Sequence, residues 1–350
     1  MSKVRAGYVR PVDFRHGHVD MSHGGGGRAM AQLIDELFLA AFDNAWLRQG
    51  NDGARLPAAA GRMVIATDSH VVSPLFFPGG DIGCLSVHGT INDVAMMGAT
   101  PLWLAATFIL EEGFPLADLK RIVESMAAAA REAGVPVVTG DTKVVERGKG
   151  DGVFITTTGV GTVPDGVELG GDRARPGDVI IVSGHLGDHG VAIMSVRENL
   201  TFETTIESDT AALHGLVATM LATAPGGIRC LRDPTRGGLA TTLNEIAGQS
   251  GCGMVIRERD LPIRGEVNAA CEFLGLDPLY VANEGKLVAI VATEDAPRLL
   301  AAMRAHPLGA DAAVIGEAIA DPHHFVQMET SFGGRRNVDW LTGEQLPRIC

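Results

Sequence analysis

Carboxylates recur at the ends of apolar segments in the N-terminal half of the chain. Asp68 and Asp141 each follow a short apolar run that is predicted to be a buried strand, and Asp93 lies among small and apolar residues of a predicted helix. Asp81 stands in the glycine-rich turn that leads into that helix. Oxygen ligands of this kind, with waters and phosphates, are what Mg²⁺ prefers. We therefore expect these four side chains to converge on Mg²⁺, although a salt bridge to an arginine is the alternative for Asp93.

The chain ends in a cysteine, Cys350, within the sequence Pro-Arg-Ile-Cys. Chain termini are the most mobile part of a domain, so a thiol at this position can travel between sites. A terminal cysteine without a function is the alternative. The other four cysteines form no C-x-x-C pair, so neither a zinc site nor a disulfide framework is predicted, and a reducing cytoplasm fits best. They are Cys84, Cys230, Cys252 and Cys271.

Two glycine-bearing helix entries are candidate phosphate contacts, because exposed backbone N–H groups and the positive end of a helix both favour a phosphate. The first entry precedes a run with helical periodicity over residues 30–42, and it consists of Gly24, Gly25, Gly26 and Gly27. The second, residues 232–238, offers Arg236 and Gly237. A flexible lead-in and an ordinary Asp-Pro helix start are the alternatives, since the G-x-G-x-x-G and Walker patterns are both missing.

Two further side chains are candidates for proton transfer. Lys143 follows Asp141 by two residues, so it can pair with a phosphate or with a carboxylate, or transfer a proton if its pKa is lowered. Glu284 stands just before a predicted strand in the sequence Ala-Asn-Glu-Gly and is a candidate base. An exposed glutamate in a turn is the alternative for this residue.

Composition and charge narrow the class of protein. With 350 residues, 46% of them hydrophobic, the chain is long enough for two domains, and its 45 glycines are typical of a loop-rich fold of helices and strands. A formal net charge of -13 argues against nucleic acid as a partner. The N-terminus lacks an apolar signal core, and the longest apolar run, residues 101–110, is too short to span a bilayer. We expect a cytoplasmic protein without a membrane partner.

The apolar patterns predict two domains and a tail. The first part contains a helix over residues 116–133 and four strands, over 63–67, 101–110, 135–139 and 153–163. A joint rich in glycine and proline, residues 170–177, separates it from a second alternation of strands and helices. Regular patterns fade from Asp321. The predicted units are an N-terminal domain over 1–169, a C-terminal α+β domain over 170–320 and a flexible tail over 321–350.

The whole chain resembles the HypE family of hydrogenase maturation proteins, which belongs to the ATP-binding superfamily of aminoimidazole ribonucleotide synthetase, selenophosphate synthetase and thiamine-monophosphate kinase. The resemblance rests on residues 23–31 and on the segments TDSHVVSPLFFPGGDIG, GTINDVAMMGA, TGDTKVV, SGHLGDHG, DPTRGG, VANEG and the ending PRIC. The ending separates this family from its relatives. The resemblance implies a two-domain α+β fold of the PurM type, ATP bound between the domains, and a homodimer in which the two N-terminal sheets form a shared β-barrel.

The same resemblance implies a reaction. Cys350 receives a carbamoyl group from the carbamoyltransferase HypF, and the protein uses ATP to dehydrate the thiocarboxamide to a thiocyanate. The cyano group then passes, through the HypC–HypD scaffold, to the iron of the [NiFe]-hydrogenase centre. Asn92 and Thr142 lie in matching motifs and are expected to contact ATP, while Lys143 and Glu284 are expected beside the inserted tail. The tail is expected to alternate between an outer and an inner position, and ATP to favour the inner one.

Two other classes of function stay open. A kinase or synthetase that acts on a free small molecule, like the superfamily relatives, needs no terminal cysteine. A carrier that only ferries a group on Cys350 needs neither the recurrent carboxylates nor ATP turnover.

Overall fold

The computed structural model describes residues 11–198, 206–342 and 348–350. It contains two main sheets with helices packed on them, so the predicted α+β class is confirmed. The predicted joint at residues 170–177 lies between the last strand of the first sheet and the first strand of the second. Within the described ranges, no helix is long and apolar enough to cross a membrane.

The N-terminal domain begins with a helix in three consecutive segments, α1 (Arg28–Leu33), a π-helical turn (Ile34–Phe38) and α2 (Leu39–Phe42). Short 3-10 turns flank this helix, at Met21–Gly24 and Leu47–Gln49. The elements that follow are β1 (Arg62–His70), β2 (Phe76–Phe77), β3 (Gly80–Asp81), α3 (Ile82–Met96), β4 (Thr100–Glu111), α4 (Leu116–Ala133), β5 (Val137–Val145) and β6 (Val153–Val163). The helix predicted over 116–133 and the strand predicted over 153–163 are confirmed with these bounds.

The four-stranded sheet of this domain has the order β1-β6-β4-β5. Strand β6 is antiparallel to both β1 and β4, whereas β4 and β5 are parallel and are connected through α4. Side chains alternate along β6 between buried and half-buried positions, as expected for a strand with one covered face. Helix α3 covers that face closely, because a Cβ at Gly161 of β6 would lie only 2.5 Å from the Val94 side chain.

The opposite face of this sheet is open within the described chain. Met63 and Ile65 of β1 are 65% and 73% exposed. Further along the same face, the hydroxyl groups of Ser69 and Thr156 are hydrogen-bonded to each other at 2.9 Å. An exposed face that combines large apolar side chains with paired hydroxyls is typical of a surface that binds another protein.

Helix α3 is fixed at its start and packed along its length. The Asp81 carboxylate accepts hydrogen bonds from the backbone N–H groups of Gly83 and Cys84, at 2.8 and 3.2 Å. Helix α4 approaches this first turn so closely that a Cβ at Gly83 would lie 2.2 Å from the Ile122 carbonyl oxygen. Helix α4 ends at Ala133, and the residue that follows, Gly134, has a φ of +70°, which favours glycine.

The C-terminal domain follows the same alternation. Its elements are β7 (Val179–Val182), α5 (Asp188–Arg197), α6 (His214–Thr223), β8 (Ile228–Arg232), α7 (Gly238–Ser250), β9 (Gly253–Arg257), α8 (Gly265–Leu274), β10 (Val288–Val291), α9 (Ala296–Arg304), β11 (Ala313–Ile319), β12 (Val326–Glu329) and β13 (Arg335–Asn337). Short 3-10 turns lie at Gly171–Arg173, Glu258–Asp260, Pro278–Tyr280 and Pro307–Gly309.

The second sheet has the order β13-β12-β9-β11-β7-β10-β8 and is covered on both faces. Along β7, Ile180 and Val182 pack into an apolar cluster with α7, whereas Ile181 packs into another cluster with α6 and α9. Because both faces are buried, the central strands are nearly continuous apolar runs. This is why their positions could be predicted from the sequence.

The chain after residue 321 is more ordered than predicted. Strand β12 pairs with β9 and strand β13 pairs with β12, so both extend the second sheet. Val326 and Met328 are buried, and Val338 donates its N–H to the Val326 carbonyl at 2.8 Å. The predicted tail therefore starts later, since residues 326–338 belong to the C-terminal domain. Residues 343–347, which include Pro347 of the ending, lie outside the described ranges.

Candidate functional site

A cleft of about 500 Å³ separates the two domains. It lies between β1 and α3 on one side and β8 with the segment at Gly170 on the other. Asp93 of α3 and Asp233, the residue after β8, both line it. Carboxylates from both domains therefore face the same cleft.

Burial and mutual repulsion raise the pKa values of these carboxyl groups. Burial raises the pKa of Asp93 to about 7, and the charges of Asp233 and Asp68 add to the shift. Burial likewise raises the pKa of Asp233 to about 6, again with a contribution from Asp68. Arg232 and Arg236 oppose the shift at Asp93. A cation bound between the carboxylates would relieve this repulsion.

Asp68 lies near the end of β1, with its side chain on the face of the sheet that α3 covers. The imidazole of His70 is buried two residues further on, with Nε2 3.6 Å from Asp68 Oδ2. Burial lowers the pKa of His70, although the Asp68 charge raises it. Helix α3 passes so close that a Cβ at Gly89 would lie 2.9 Å from this Nε2. The imidazole of His70 therefore lies beside Asp68 on the side of the core.

The last three residues of the chain dock between the domains. The backbone carbonyls of residues 348–350 accept hydrogen bonds, in that order, from the Ser73 N–H at 3.1 Å, His189 Nε2 at 2.8 Å and the Val71 N–H at 3.0 Å. The Ile349 side chain is buried in the core of the N-terminal domain. Backbone hydrogen bonds and one apolar anchor thus hold the end of the chain in an inner position.

Docking places the thiol of Cys350 near the Glu284 carboxyl group, whose charge acts on the thiol. Burial raises the pKa of the Cys350 thiol, the Glu284 charge raises it further, and Arg236 lowers it. Glu284 is only 3% exposed; burial, followed by the charge of Asp233, raises its pKa well above the usual range of a glutamate. The raised pKa favours the protonated form of the carboxyl group, which is the form that can donate a proton to a group on the sulfur.

Asp209 and Lys286 hold Glu284 in place. The Glu284 backbone N–H donates to Asp209 Oδ1 at 3.0 Å, and Lys286 Nζ lies 3.1 Å from Asp209 Oδ2. Burial alone would raise the pKa of Asp209, but Lys286 and then His189 outweigh it and hold that pKa below its usual value. The ion pair is buried and hydrogen-bonded on both sides, so it fixes the loop that carries Glu284.

The second glycine-bearing entry is confirmed as the start of α7. Gly237, with a φ of +76°, precedes the helix, and a Cβ at Gly238 would lie 2.6 Å from the Leu279 carbonyl oxygen. Arg236 is exposed, and its charge acts on Asp93 and Cys350. Arg236 therefore adds positive charge to an otherwise acidic site.

Asn92 does not face the cleft with a free amide, contrary to its expected contact with ATP. Its side chain is buried, Nδ2 donates to the carbonyls of Ala211 and Glu284 at 3.0 and 3.2 Å, and Oδ1 accepts from the Leu213 N–H at 2.7 Å. Its hydrogen-bonding groups thus connect α3 to the C-terminal domain. Asn92 positions the loop of Glu284 instead.

Asp81 is likewise engaged elsewhere. Its carboxylate caps α3, and it lies on the far end of that helix from Asp93. Burial raises its pKa, while hydrogen bonds from Ser125 and from the backbone lower it. The capping geometry explains why an acidic residue occurs at this position. Asp81 is therefore not grouped with Asp68 and Asp93.

Asp141 and Lys143 lie within β5 rather than after a strand, because pairing with β4 extends β5 to Val145. Both side chains are exposed and pair with each other, with Lys143 Nζ 2.8 Å from Asp141 Oδ2. The lysine, through its hydrogen bond, lowers the pKa of Asp141. The convergence predicted for four carboxylates is therefore not seen within one chain, and Lys143 is not beside Glu284.

The first glycine run packs against the same edge strand. A Cβ at Gly24 would lie 2.8 Å from the backbone nitrogen of Val144. Thr142 is buried beside a cavity of about 110 Å³ between β5 and the N-terminal helix, lined also by Met30 and Phe108. Gly25, Gly26 and Gly27 complete the turn that precedes α1. These candidate nucleotide contacts form a group of their own, next to Asp141 and away from Asp68.

No three histidine, cysteine or carboxylate side chains are grouped closely enough to hold a metal ion by themselves in residues 11–198, 206–342 and 348–350. Mg²⁺, however, needs only one or two protein carboxylates when phosphates and waters complete its shell. The paired acidic groups of Asp93 and Asp233, with Asp68 nearby, fit that requirement.

Comparison with known proteins agrees with this architecture. Residues 50–163 match the N-terminal domain model of AIR synthase related proteins, and residues 175–329 match the corresponding C-terminal domain model. The chain is 73% identical over 348 residues to the carbamoyl dehydratase HypE of Cupriavidus necator, with 99% of both chains covered.

Solved structures extend the comparison to three dimensions. A crystal structure of the hydrogenase maturation protein HypE in complex with ATP is 52% identical, with a TM-score of 0.91 over 94% of this chain and 99% of that one. A chain from a crystal structure of a HypE–HypF complex is 50% identical, with a TM-score of 0.78 over 88% of this chain and 99% of that one. The predicted two-domain PurM-like fold is therefore confirmed, and the chain belongs to the carbamoyl dehydratase HypE family of hydrogenase maturation proteins.

Proposed function

We propose that this protein dehydrates a carbamoyl group carried on the Cys350 thiol, with ATP as the second substrate, and so supplies the cyanide ligand for [NiFe]-hydrogenase maturation. One observation carries the proposal: the chain's own terminal thiol is docked near a buried carboxyl group, that of Glu284, beside an acidic interdomain cleft. A thiol in this position presents any group attached to it to Glu284 and to the cleft.

The chemistry needs an activated oxygen and a route for protons. The oxygen of a thiocarboxamide is a poor leaving group, and its phosphorylation gives an imidate-type phosphate. Departure of that phosphate with loss of the N–H protons leaves the thiocyanate, with ADP and phosphate as the other products. Glu284 is the residue that orients the carboxamide and exchanges protons with it, because its carboxyl group lies at the sulfur. The buried surroundings exclude water from the reactive group.

ATP is assigned to the interdomain cleft. The cleft has room for a polyphosphate, and Arg232 and Arg236 provide positive charge beside it. A relative that is 52% identical has been crystallised with ATP, which supports the same ligand here. Gly24 to Gly27 and Thr142 stay candidate contacts for the nucleotide, at the small cavity beside β5.

Mg²⁺ is assigned to Asp68 and Asp93, with Asp233 as a further oxygen donor. When bound, Mg²⁺ neutralises charge on the phosphates, and electrostatic stabilisation is the main contribution of such sites to phosphoryl transfer. The residues themselves supply the geometry: His70 supports Asp68 from the core, and α3 fixes Asp93. The raised pKa values of Asp93 and Asp233 support a cation between them.

The protein is proposed to be a homodimer. In the described chain, β1 and β5 are the two edges of the N-terminal sheet, and its open face carries Met63 and Ile65. Two four-stranded sheets joined edge to edge form eight strands, a number for which side chains alone can fill the barrel. Closure removes both free edges and covers the apolar face.

This dimer gives Lys143 and Asp141 a role that one chain does not. If β5 of one chain pairs with β1 of its partner, the strand that carries Asp141 and Lys143 lies next to the strand that carries the partner subunit's Asp68. Within one chain, β1 and β5 are the opposite edges of the N-terminal sheet, so Lys143 and Asp68 are not neighbours there. We therefore propose that Lys143 serves the site of the other subunit.

The partners follow from the reaction. A carbamoyltransferase of the HypF type must reach Cys350, which requires the tail to leave its inner position; a relative 50% identical occurs in a HypE–HypF complex. A HypC–HypD-type scaffold is proposed to accept the cyano group. A cytoplasmic location suits the free cysteines Cys84, Cys230, Cys252 and Cys271.

The test compares the wild-type chain with Cys350→Ser after incubation with a HypF-type carbamoyltransferase, its substrates and MgATP. The wild-type chain is expected to gain the nitrile absorption of a thiocyanate in the infrared, and the variant to gain none. A variant that turns over ATP on a free small molecule at the wild-type rate would favour the small-molecule kinase. A carbamoylated chain that keeps its group in MgATP without ATP cleavage would favour the carrier.

A further inference from the structure

A fully buried imidazole, His189, contacts the docked tail and has no part in the proposed chemistry. It lies in the first turn of α5, and the edge of its ring faces Phe77 with 5.5 Å between ring centroids. Both ring nitrogens have partners: Nδ1 lies 2.7 Å from Ser208 Oγ, and Nε2 lies 2.8 Å from the Ile349 carbonyl oxygen. His189 is thus a side chain that binds the backbone of the residue next to Cys350.

The partners determine which nitrogen carries the proton. A carbonyl oxygen can only accept, so Nε2 must donate to Ile349. The Ser208 hydroxyl accepts from the Thr210 N–H at 3.1 Å, which leaves its own proton for Nδ1. Burial lowers the pKa of His189, in keeping with a neutral ring that accepts at Nδ1, although the Asp209 charge raises it. The hydrogen bonds therefore run in one direction, from Thr210 through Ser208 and His189 to Ile349.

Ser208 is itself fixed by the N-terminal domain. Its backbone N–H donates to the Pro78 carbonyl at 2.8 Å. Gly79, with a φ of +88°, lies so near that a Cβ there would be 2.8 Å from the Ser208 nitrogen and carbonyl oxygen. The turn at Pro78 and Gly79 therefore sets the position of the hydroxyl that orients His189, and the inner position of the tail depends on the contact between the two domains.

We propose that His189 is the positioning residue that holds the tail in its inner position, and that Ser208 selects the tautomer this requires. The inference rests on the proposed function, because only there does the inner position bring Cys350 to its reaction partners. The other donors to the tail include the backbone N–H groups of Val71 and Ser73, which no side-chain substitution removes. Two other side chains act on the tail at Arg348, because Arg197 donates to its carbonyl oxygen and Asp151 pairs with its guanidinium group. His189 is the side chain that binds the residue next to Cys350, so we vary docking there.

The test uses two polar variants of the full-length chain, His189→Gln and His189→Asn. The glutamine amide N–H group lies as many bonds from Cα as Nε2 does, so it can still donate to Ile349, whereas the asparagine amide ends at the level of Nδ1. The readout is the rate of alkylation of Cys350 by iodoacetamide, followed by peptide mass. Loss of one hydrogen bond is expected to speed alkylation about fivefold in His189→Asn, and His189→Gln is expected to stay near the wild-type rate.

A third variant, Ser208→Ala, tests whether Ser208 selects the tautomer of His189 that has its proton on Nε2. It also provides a test that does not depend on whether the His189 variants fold. It keeps the ring but removes the group that orients it, so faster alkylation of Cys350 is expected with an unchanged melting temperature. Equal rates in the Gln and Asn variants, or a wild-type rate in Ser208→Ala, would overturn the inference. Alkylation needs neither ATP nor a carbamoyl group, so it tests docking separately from catalysis. If the variants show the predicted alkylation rates but the wild-type chain does not dehydrate a carbamoyl group, the role of His189 stands and the proposed function is refuted.

Discussion

Asp68 and Asp141 lie on opposite edges and opposite faces of the same four-stranded sheet. Asp68 is aligned with Thr157, which is aligned through Ala106 with Gly140, so the neighbour of Asp141 shares the face of Asp68 and Asp141 does not. Three strand spacings separate β1 from β5, which amounts to about 14 Å. Within one chain, the separation of the two edges and the opposite faces keep Asp68 and Asp141 out of a common site.

Mixing two inactive variants tests this arrangement. Asp68→Asn and Lys143→Ala are each expected to lose dehydration activity as homodimers. If the site combines residues of both subunits, a mixed dimer contains one intact site, and random mixing in equal amounts restores about a quarter of the wild-type sites. The measurement is the dehydration rate of the mixture after subunit exchange. No recovery in a mixture whose exchange is demonstrated would place Asp68 and Lys143 in the same subunit's site.

Replacing Glu284 tests its role at the sulfur. Glu284→Gln keeps the shape of the side chain but cannot exchange a proton, so dehydration is expected to slow by about a hundredfold or more while carbamoylation of Cys350 continues. Mass spectrometry of the carbamoylated chain after addition of MgATP measures both. Glu317→Gln, at an exposed position of β11, is the matched control and should behave like the wild type. Normal dehydration in Glu284→Gln would exclude the proposed proton exchange.

Asp93→Asn tests the assignment of Mg²⁺. The substitution is expected to lower Mg²⁺-dependent ATP turnover by about two orders of magnitude or more, because charge neutralisation supplies much of the catalysis of phosphoryl transfer. Its melting temperature should not fall, since burial raises the pKa of Asp93 to about 7 and asparagine resembles the neutral form. Asp165→Asn, at an exposed position, is the control. Turnover that is unchanged and still requires Mg²⁺ would remove Asp93 from the metal site.

Stability is expected to fall in mild acid, in part because of His88. Burial, with a contribution from His214, lowers the pKa of His88 from 6.5 to about 4. A histidine that protonates more readily in the unfolded chain stabilises the fold fully above pH 6.5, and this stabilisation is lost as the pH falls toward 4. Between pH 7 and pH 5 the free energy of unfolding of the wild type should fall by about 2 kcal/mol more than that of His88→Gln.

Urea titrations at the two pH values provide this measurement. His323→Gln, at an exposed position, is the control and should lose as much stability as the wild type. An equal loss of stability in His88→Gln and the wild type would show that His88 does not protonate on unfolding in this range. The interaction of His88 with Thr210, at 3.0 Å, links this residue to the segment that also contains Ser208.

Local sequence patterns were sufficient to predict the helices and strands that are long or strongly apolar. Helix α4 and strand β6 have the predicted bounds. The helix has an amphipathic pattern over 18 residues, and the strand has an alternating pattern over 11 residues, so each pattern is compatible with only one type of secondary structure. The terminal thiol, Glu284 and Asp93 were identified from the sequence and are found at or beside the interdomain cleft.

The positions of the other site residues could not be predicted from local patterns, because they depend on pairing and packing between segments that are distant in the sequence. Strand β5 continues past the predicted end at residue 139 because β4 pairs with it, and this extension decides that Asp141 faces away from α3. Strand β8 is short and carries two arginines, so the sequence predicts a glycine-bearing helix entry over residues 232–238 but does not predict that Asp233 is a carboxylate at the end of a strand. No local pattern predicts that Asp233, Asp68 and Asp93 meet, since that contact follows from the packing of the two domains.

The intact mass of the protein shows whether Cys350 carries the group that is dehydrated. The wild-type chain and Cys350→Ala are incubated with a HypF-type carbamoyltransferase and its substrates. Their intact masses are measured by mass spectrometry before and after addition of MgATP. We expect the wild-type chain to gain the mass of one carbamoyl group at Cys350 and then to lose the mass of one water only when MgATP is present. The variant is expected to gain nothing. An unmodified Cys350 in a protein that still consumes ATP would contradict this expectation.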